Sequence, residues 1–227
     1  LPRGDAEAVV LSAPDADPGG ALTDESEPND SVAGAQPLDL PLLPETGALV
    51  LRGTLVPGVG AKADVDVFRL VMPPSGSLLA GDGGLPPRKR LRVDVEPEAG
   101  SAVAVQVLDD AGNPLVSSSA AAGERVGVPN FSAGSGMTYL VRLRAAAADP
   151  ANPKAPPVPG SYRLTVGLSE PEPGDEGEPN DKPELASRFL GDGRVLEAAG
   201  LFGWRRDEDM FRLPLAGLPD GAVLSVE

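Results

Sequence analysis

A short acidic segment at residues 24–30 carries the residues best suited to chemistry. Its sequence is Asp-Glu-Ser-Glu-Pro-Asn-Asp, so Glu25, Glu27 and Asn29 occupy alternate positions. In an extended chain alternate side chains point the same way, and three oxygen-bearing groups would then face one side. Calcium takes about six to eight oxygen ligands from carboxylates, amides and main-chain carbonyls. We therefore predict a calcium site here, to which Asp30 adds a carboxylate as the chain turns.

A second pair of acids, Asp64 and Asp66, lies at the entrance of a strand-like run. These aspartates would complete the shell around the ion if the fold brings residues 24–30 beside them. Clustered carboxylates repel one another, so a divalent cation among them is stabilising. The competing interpretation is that the acids form a solvated entrance to a domain, as runs of charge usually do.

Both acidic features occur a second time, in the same order, near the end of the chain. Residues 175–181 read Asp-Glu-Gly-Glu-Pro-Asn-Asp, and residues 207–213 repeat the Asp-x-Asp-x-Phe-Arg-Leu pattern of residues 64–70. Two ordered matches are much stronger than one, and they indicate a repeated unit. The predicted metal ligands of both copies are Glu25, Glu27, Asn29, Asp30, Asp64, Asp66, Glu176, Glu178, Asn180, Asp181, Asp207 and Asp209.

Composition excludes several classes of function. The 227 residues include 34 acidic and 19 basic side chains, for a net charge of −15. Such a chain repels phosphate backbones, so we expect no nucleic-acid partner. The sequence has no Cys and no His, which removes the usual zinc sites and the Ser/His/Asp and Cys/His arrangements of catalysis. Without these arrangements we expect that the chain is not an enzyme. No apolar run is long enough to span a bilayer, so we expect no membrane insertion.

The rest of the chain must position these acids, and its pattern is that of short strands. Leu91, Val93 and Val95 alternate with charged residues, which indicates one buried and one wet face. A turn signal at residues 109–114 predicts a hairpin. No stretch keeps a helical period, so we predict an all-β fold, an antiparallel jelly-roll-like β-sandwich. The predicted strands are 48–56, 66–72, 90–96, 102–108, 138–144 and 161–168.

Shifts in composition divide the chain into four parts. We predict a flexible lead-in at residues 1–23, a β-sandwich at 24–169, a linker at 170–174, and the start of a second similar domain at 175–227. The first twenty residues show neither the basic start nor the apolar core of a signal peptide, and the chain does not begin with Met. We expect it to be a segment of a larger protein.

The motifs resemble those of the bacterial pre-peptidase C-terminal domain. The resemblance is carried by Glu-x-Glu-Pro-Asn-Asp at 25–30, Ala-x-Pro-Leu at 35–38, Gly53, Asp-x-Phe-x-Leu at 66–70, and a strand–turn–strand pattern at 103–116. It implies a jelly-roll-like sandwich of a secreted or cell-surface protein, often appended to a peptidase. The related collagen-binding domains of clostridial collagenases bind calcium through the acidic opening and aspartates before a strand, which implies the same ligands in both copies here.

Three functions remain open on this basis. The first is a non-catalytic, calcium-binding accessory region that spaces, stabilises or attaches a larger protein. The second is an adhesin-like or carbohydrate- or matrix-binding module with no functional metal. The third is the non-catalytic part of a secreted peptidase. The expected partner is an extracellular protein or polysaccharide, and the low aromatic content of 4% argues against a collagen-contacting face.

Overall fold

The computed structural model of the chain describes most of residues 22–170 and several short stretches beyond them. Among the described residues, no helix has the length and apolar character needed to cross a membrane. The described ranges are 22–39, 48–56, 64–74, 88–149, 151–152, 154–170, 177–180, 183–184, 186–188, 190–191, 196–197 and 208–212.

Short strands make up the regular structure of these ranges. The first ten strands are β1 (Leu22–Asp24), β2 (Gln36–Leu38), β3 (Ala48–Leu55), β4 (Val65–Val71), β5 (Arg88–Pro97), β6 (Val103–Asp109), β7 (Pro114–Ser119), β8 (Val126–Gly134), β9 (Thr138–Ala145) and β10 (Gly160–Ser169). Four two-residue strands follow: β11 (Ser187–Arg188), β12 (Leu190–Gly191), β13 (Leu196–Glu197) and β14 (Phe211–Arg212).

Two five-stranded sheets pack as a sandwich. The first sheet has the order β1-β3-β10-β5-β8, and the second has the order β2-β4-β9-β6-β7. The predicted all-β sandwich is confirmed, but the sheets are mixed rather than purely antiparallel. β1 pairs in parallel with β3, and β2 pairs in parallel with β4. Since β1 and β2 belong to different sheets, the acidic segment at 24–30 carries the chain across from one sheet to the other.

The core lies between the sheets and follows from the period-two pattern of the strands. Leu91, Val93 and Val95 of β5 are fully buried, as their alternation predicts. Phe68 of β4 and Phe131 of β8 are the largest of its fully buried side chains. With few aromatic residues available, the remaining volume is filled by Leu and Val, whose branched side chains pack well on pleated surfaces.

All six strands predicted from the sequence form, with ends shifted by one or two residues. The predicted hairpin is also present between β6 and β7. The carboxylate of Asp109 accepts hydrogen bonds from the main-chain N–H and the side-chain amide of Asn113, both at 2.8 Å. β8 was not predicted, because Pro129 and Asn130 break its alternation. The pairing of β8 with β5 is irregular at the same place.

A small apolar cluster on the outer face of the second sheet fixes the loop after the acidic segment. Val67, Leu108 and Leu140 are buried there beneath Val32 and Ala35. The guanidinium of Arg69 also donates a hydrogen bond of 2.7 Å to the main-chain oxygen of Val32. This packing holds the loop, and with it the acidic segment, against β4.

Replacing Phe68 by alanine should destabilise the sandwich by about 3–5 kcal/mol, because it leaves a cavity at a fully buried position. Val71→Ala on the same strand is the control, since Val71 is 59% exposed, and its effect should stay below about 0.5 kcal/mol. Chemical denaturation of the full chain measures both. Equal losses in the two variants would contradict the assignment of Phe68 to the core.

Candidate metal centre

Main-chain hydrogen bonds hold the acidic segment at both of its ends. The N–H of Glu25 donates to the carbonyl of Arg52 in β3 at 2.8 Å, and the N–H of Val67 in β4 donates to the carbonyl of Asn29 at 3.1 Å. The segment therefore bridges the two sheets and is held to one strand of each, β3 and β4. Its side chains are presented beside the start of β4.

Three carboxylates meet at this crossing. Glu25, Glu27 and Asp66 each offer an oxygen atom, and these atoms all lie within 4.8 Å of one another. Asp66 is fully buried, Glu25 is partly buried and Glu27 is exposed. The structure thus brings together two acids of the first segment and the aspartate at the entrance of β4, which lies far away in the sequence.

The phenol of Tyr162 joins two of these carboxylates. Its hydroxyl oxygen lies 2.9 Å from Oε2 of Glu25 and 2.6 Å from Oδ2 of Asp66. A phenol has one proton to donate, so it serves only one of the two acceptors at a time. The other oxygen of Glu25 accepts the N–H of Thr54 at 2.7 Å. The second contact becomes a hydrogen bond only if one of the two carboxyl groups carries a proton, and a cation would offset their repulsion if neither does.

Gly53 makes this close approach possible. It lies inside β3, directly opposite Tyr162 of β10. A Cβ at position 53 would overlap the Tyr162 hydroxyl and the Glu25 carboxylate. The sequence interpretation placed neither Tyr162 nor Gly53 in the site. A glycine inside a strand is the signal that was available, because it often marks a close approach of other groups.

Buried polar atoms near the cluster lack hydrogen-bond partners among the described residues. Asn29 is fully buried, and neither its side-chain N nor its side-chain O has a hydrogen-bond partner among the described residues. Oδ1 of Asp66 is also buried and has no such partner. Leaving such atoms unpaired costs free energy, about 1–3 kcal/mol each. The main-chain N–H of Asn29 donates a hydrogen bond of 2.8 Å to Oε2 of Glu27, so Asn29 is directly linked to one carboxylate of the cluster. A hard cation would satisfy the unpaired oxygens.

Two other predicted ligands, Asp64 and Asp30, contact main-chain N–H groups. Oδ2 of Asp64 accepts the N–H of Val56 at 2.6 Å, and Oδ1 of Asp30 lies 3.5 Å from the N–H of Val65. Neither belongs to the three-carboxylate cluster. Asp64 still acts on the cluster through its negative charge.

Burial is the main reason that the pKa of Asp66 is raised to about 8. The charges of Glu25 and Asp64 raise this pKa further, while the hydrogen bond from Tyr162 lowers it. The pKa of the Tyr162 phenol is also raised, first by burial and then by the charge of Asp66. Without a cation, burial and the neighbouring negative charges therefore favour the protonated form of Asp66.

The second acidic segment repeats part of this conformation. Oε2 of Glu178 accepts the N–H of Asn180 at 3.0 Å, as Oε2 of Glu27 does for Asn29. The Glu-Pro peptide bond is cis in both segments. Oδ1 of Asp209 is buried without a hydrogen-bond partner among the described residues. Glu176, Asp181 and Asp207 lie outside the described residues, so the second set of ligands stays a prediction.

The strand pairing that follows each segment also corresponds. β11 pairs in parallel with β14, with Ser187 opposite Phe211. In the first copy Gln36 lies opposite Phe68 in the parallel pair of β2 and β4. These partners occupy matching positions in the two sequence repeats.

A groove of about 530 Å³ opens beside the cluster on the first sheet. It reaches Glu25 and Tyr162 at one end. Charged side chains of both signs line the rest of it, chiefly Arg52, Glu96, Glu98 and Arg163.

Fold and site together define an all-β sandwich with an acidic cluster around the buried Asp66 at the crossing between its sheets. No protein-family model matches the chain, and no curated protein matches it. Among solved structures, the chain is similar to the crystal structure of the pre-peptidase C-terminal domain of a collagenase from Bacillus anthracis. The identity is 16%, the match covers 63% of this chain and 100% of the other, and the TM-score is 0.37.

In calcium-free buffer, the stability of the protein relative to Asp66→Asn should fall as pH rises from about 4 to about 8. Folded Asp66 keeps a proton up to its pKa of about 8, whereas the unfolded side chain loses it near its ordinary pKa of 3.8. The slope is at most about 1.4 kcal/mol per pH unit. Denaturation of both proteins across this pH range measures it. A constant difference between them would show that Asp66 titrates normally.

Proposed function

We propose that the chain is a non-catalytic accessory β-sandwich region in which the first acidic segment and β4 hold a calcium ion. The ligands are Glu25, Glu27, Asn29 and Asp66. The supporting observation is the convergence of three carboxylates from distant parts of the chain around a buried aspartate. Oxygen donors without His or Cys favour a hard cation over a transition metal.

The spacing of the carboxylates suits a single calcium ion. Calcium–oxygen distances are about 2.3–2.6 Å, so ligands on opposite sides of the ion lie about 4.6–5.2 Å apart. The three oxygen atoms fall within 4.8 Å of one another. Because Glu27 is exposed, water can complete the shell on its side. The same proposal extends to the counterparts of these four ligands in the second repeat, Glu176, Glu178, Asn180 and Asp209.

Calcium would act as a structural tie in this proposal. The ion would hold the crossing between the sheets to β4, and Tyr162 would connect the same cluster to β10. Bound only to the native state, calcium would stabilise it by mass action. Such a role fits a spacer or stabilising domain, at residues 24–169, of a larger secreted or cell-surface bacterial protein. Residues 175–227 would begin a second domain of the same kind.

Excess calcium should raise the melting temperature of the full chain above its value in chelator. At a calcium concentration of about 100 times Kd the gain is about 2.7 kcal/mol, which corresponds to roughly 5–10 °C for a domain of this size. Glu27→Gln, which removes one ligand charge at an exposed position, should lose most of this shift. Differential scanning calorimetry with and without calcium provides the measurement.

The matched control for this experiment is Asp110→Asn, which removes a charge from an exposed turn outside the cluster. Its calcium-dependent shift should equal that of the unaltered protein. Identical melting in calcium and in chelator would refute the metal site. A loss of the shift in Asp110→Asn as large as in Glu27→Gln would reduce the effect to non-specific charge screening.

Attachment is a second candidate function, and the groove beside the cluster favours it. Arg52 and Arg163 could meet acidic groups of an extracellular polysaccharide or protein, while Glu96 and Glu98 could meet hydroxyl or basic groups. This activity needs no metal. It would make the region an adhesin-like or matrix-binding module.

If the groove binds such a partner, Arg163→Ala should abolish or strongly reduce binding on a glycan and matrix-protein array. Arg144→Ala is the control, because Arg144 is exposed on β9 in the other sheet. Its signals should match those of the unaltered protein. Absence of any binding, or equal binding by both variants, would count against attachment through this groove.

A further inference from the structure

The two acidic segments differ at one position. Residues 24–30 and 175–181 are identical except that Ser26 of the first corresponds to Gly177 of the second. The surroundings of these two residues differ as well. Ser26 is exposed, and its N–H donates to the side chain of Gln36 at 2.8 Å. Gly177 lies against another part of the molecule, the edge of the first sheet.

At that edge the second segment contacts β8 through its main chain. The N–H of Ser132 donates to the carbonyl of Glu178 at 2.8 Å, and the N–H of Glu178 donates to the carbonyl of Asn130 at 3.2 Å. These bonds form a parallel bridge between Phe131 and Glu178. Glu178 is fully buried here, whereas its counterpart Glu27 is exposed.

The contact leaves no room for a side chain at position 177. A Cβ there would lie 2.7 Å from Cβ of Ser132 and 2.9 Å from its Oγ. Both distances are well inside ordinary van der Waals separation. The serine of the first segment therefore does not fit at this edge, although the other six residues of the motif are the same.

We propose that the outer edge of β8 is a docking site for the second acidic segment, and that Gly177 is the residue that permits docking. β8 is the outermost strand of its sheet and pairs with β5 on its other side. An uncovered edge strand offers its main-chain groups to any extended chain. Docking covers this edge and directs the chain from the first sandwich into the region that follows.

This inference needs no bound metal, although Glu178 is also one of the proposed ligands in the second repeat. It rests on main-chain hydrogen bonds, on the burial of Glu178 and on the space at Gly177. It explains why the two segments are not interchangeable: the first bridges the sheets of its own sandwich, and the second seals the edge of a sandwich that precedes it. The recognition is selective for an extended Gly-Glu-Pro sequence over Ser-Glu-Pro.

Hydrogen exchange of the full chain tests the proposal at the amide of Ser132. Gly177→Ser, which gives the second segment the residue of the first, should speed exchange of this amide at least about tenfold, because its acceptor is lost. The reciprocal variant Ser26→Gly should leave it unchanged. Amides of Val93 and Leu164, in the central strands of the same sheet, should stay protected in both and show that the sandwich is folded.

A rescue variant separates docking from general damage. Ser132→Gly combined with Gly177→Ser removes the atoms that clash, so protection of the amide at position 132 should return to that of Ser132→Gly alone. Continued fast exchange in the double variant would overturn the proposal, because the loss would then not come from the clash. Fast exchange of Ser132 in the unaltered chain, or full protection in Gly177→Ser, would overturn it as well.

Discussion

The Tyr162 hydroxyl has one proton and contacts two carboxylates. The charge state of the site depends on how the second carboxylate is neutralised. The hydroxyl lies within hydrogen-bond distance of Glu25 and Asp66 but can donate to only one of them. Two bare charges in a buried place are costly, so the arrangement demands either a further proton or a cation. Gly53 leaves the space, and the anchors of the acidic segment to β3 and β4 keep the groups together.

Most of the fold could be predicted because one buried face gives a strand a period of two. β5, with Leu91, Val93 and Val95 inward, is the clearest case. β8 was not predicted because Pro129 and Asn130 interrupt its alternation, at the place where its pairing with β5 is irregular. β1 and β2 have three residues each, too few to show any period. Their parallel pairing depends on the path that residues 24–36 take between the sheets, and local sequence patterns do not predict that path.

The sequence predicted that Glu25 and Glu27 meet Asp66, and the other contacts of these acids depend on the tertiary fold. Alternate acids indicated that Glu25 and Glu27 share a side, and the structure brings both to Asp66. The spacing of the acids in the sequence could not show that the carboxylate of Asp64 accepts a hydrogen bond from the main-chain N–H of Val56. Nor could it supply Tyr162, which comes from the last strand of the sandwich. The burial of Glu178 likewise arises from contact with another strand rather than from its own segment.

The position of Tyr162 in the chain has a consequence for the order of assembly. Tyr162 follows Glu25 by 137 positions and lies on β10, which is inserted between β3 and β5. During synthesis the acidic segment emerges long before the phenol that orients it. Contacts of such wide separation carry a loop-closure cost that slows folding. An ion bound as proposed would therefore meet the Tyr162-linked arrangement of Glu25 and Asp66 only after β10 has paired with β3 and β5.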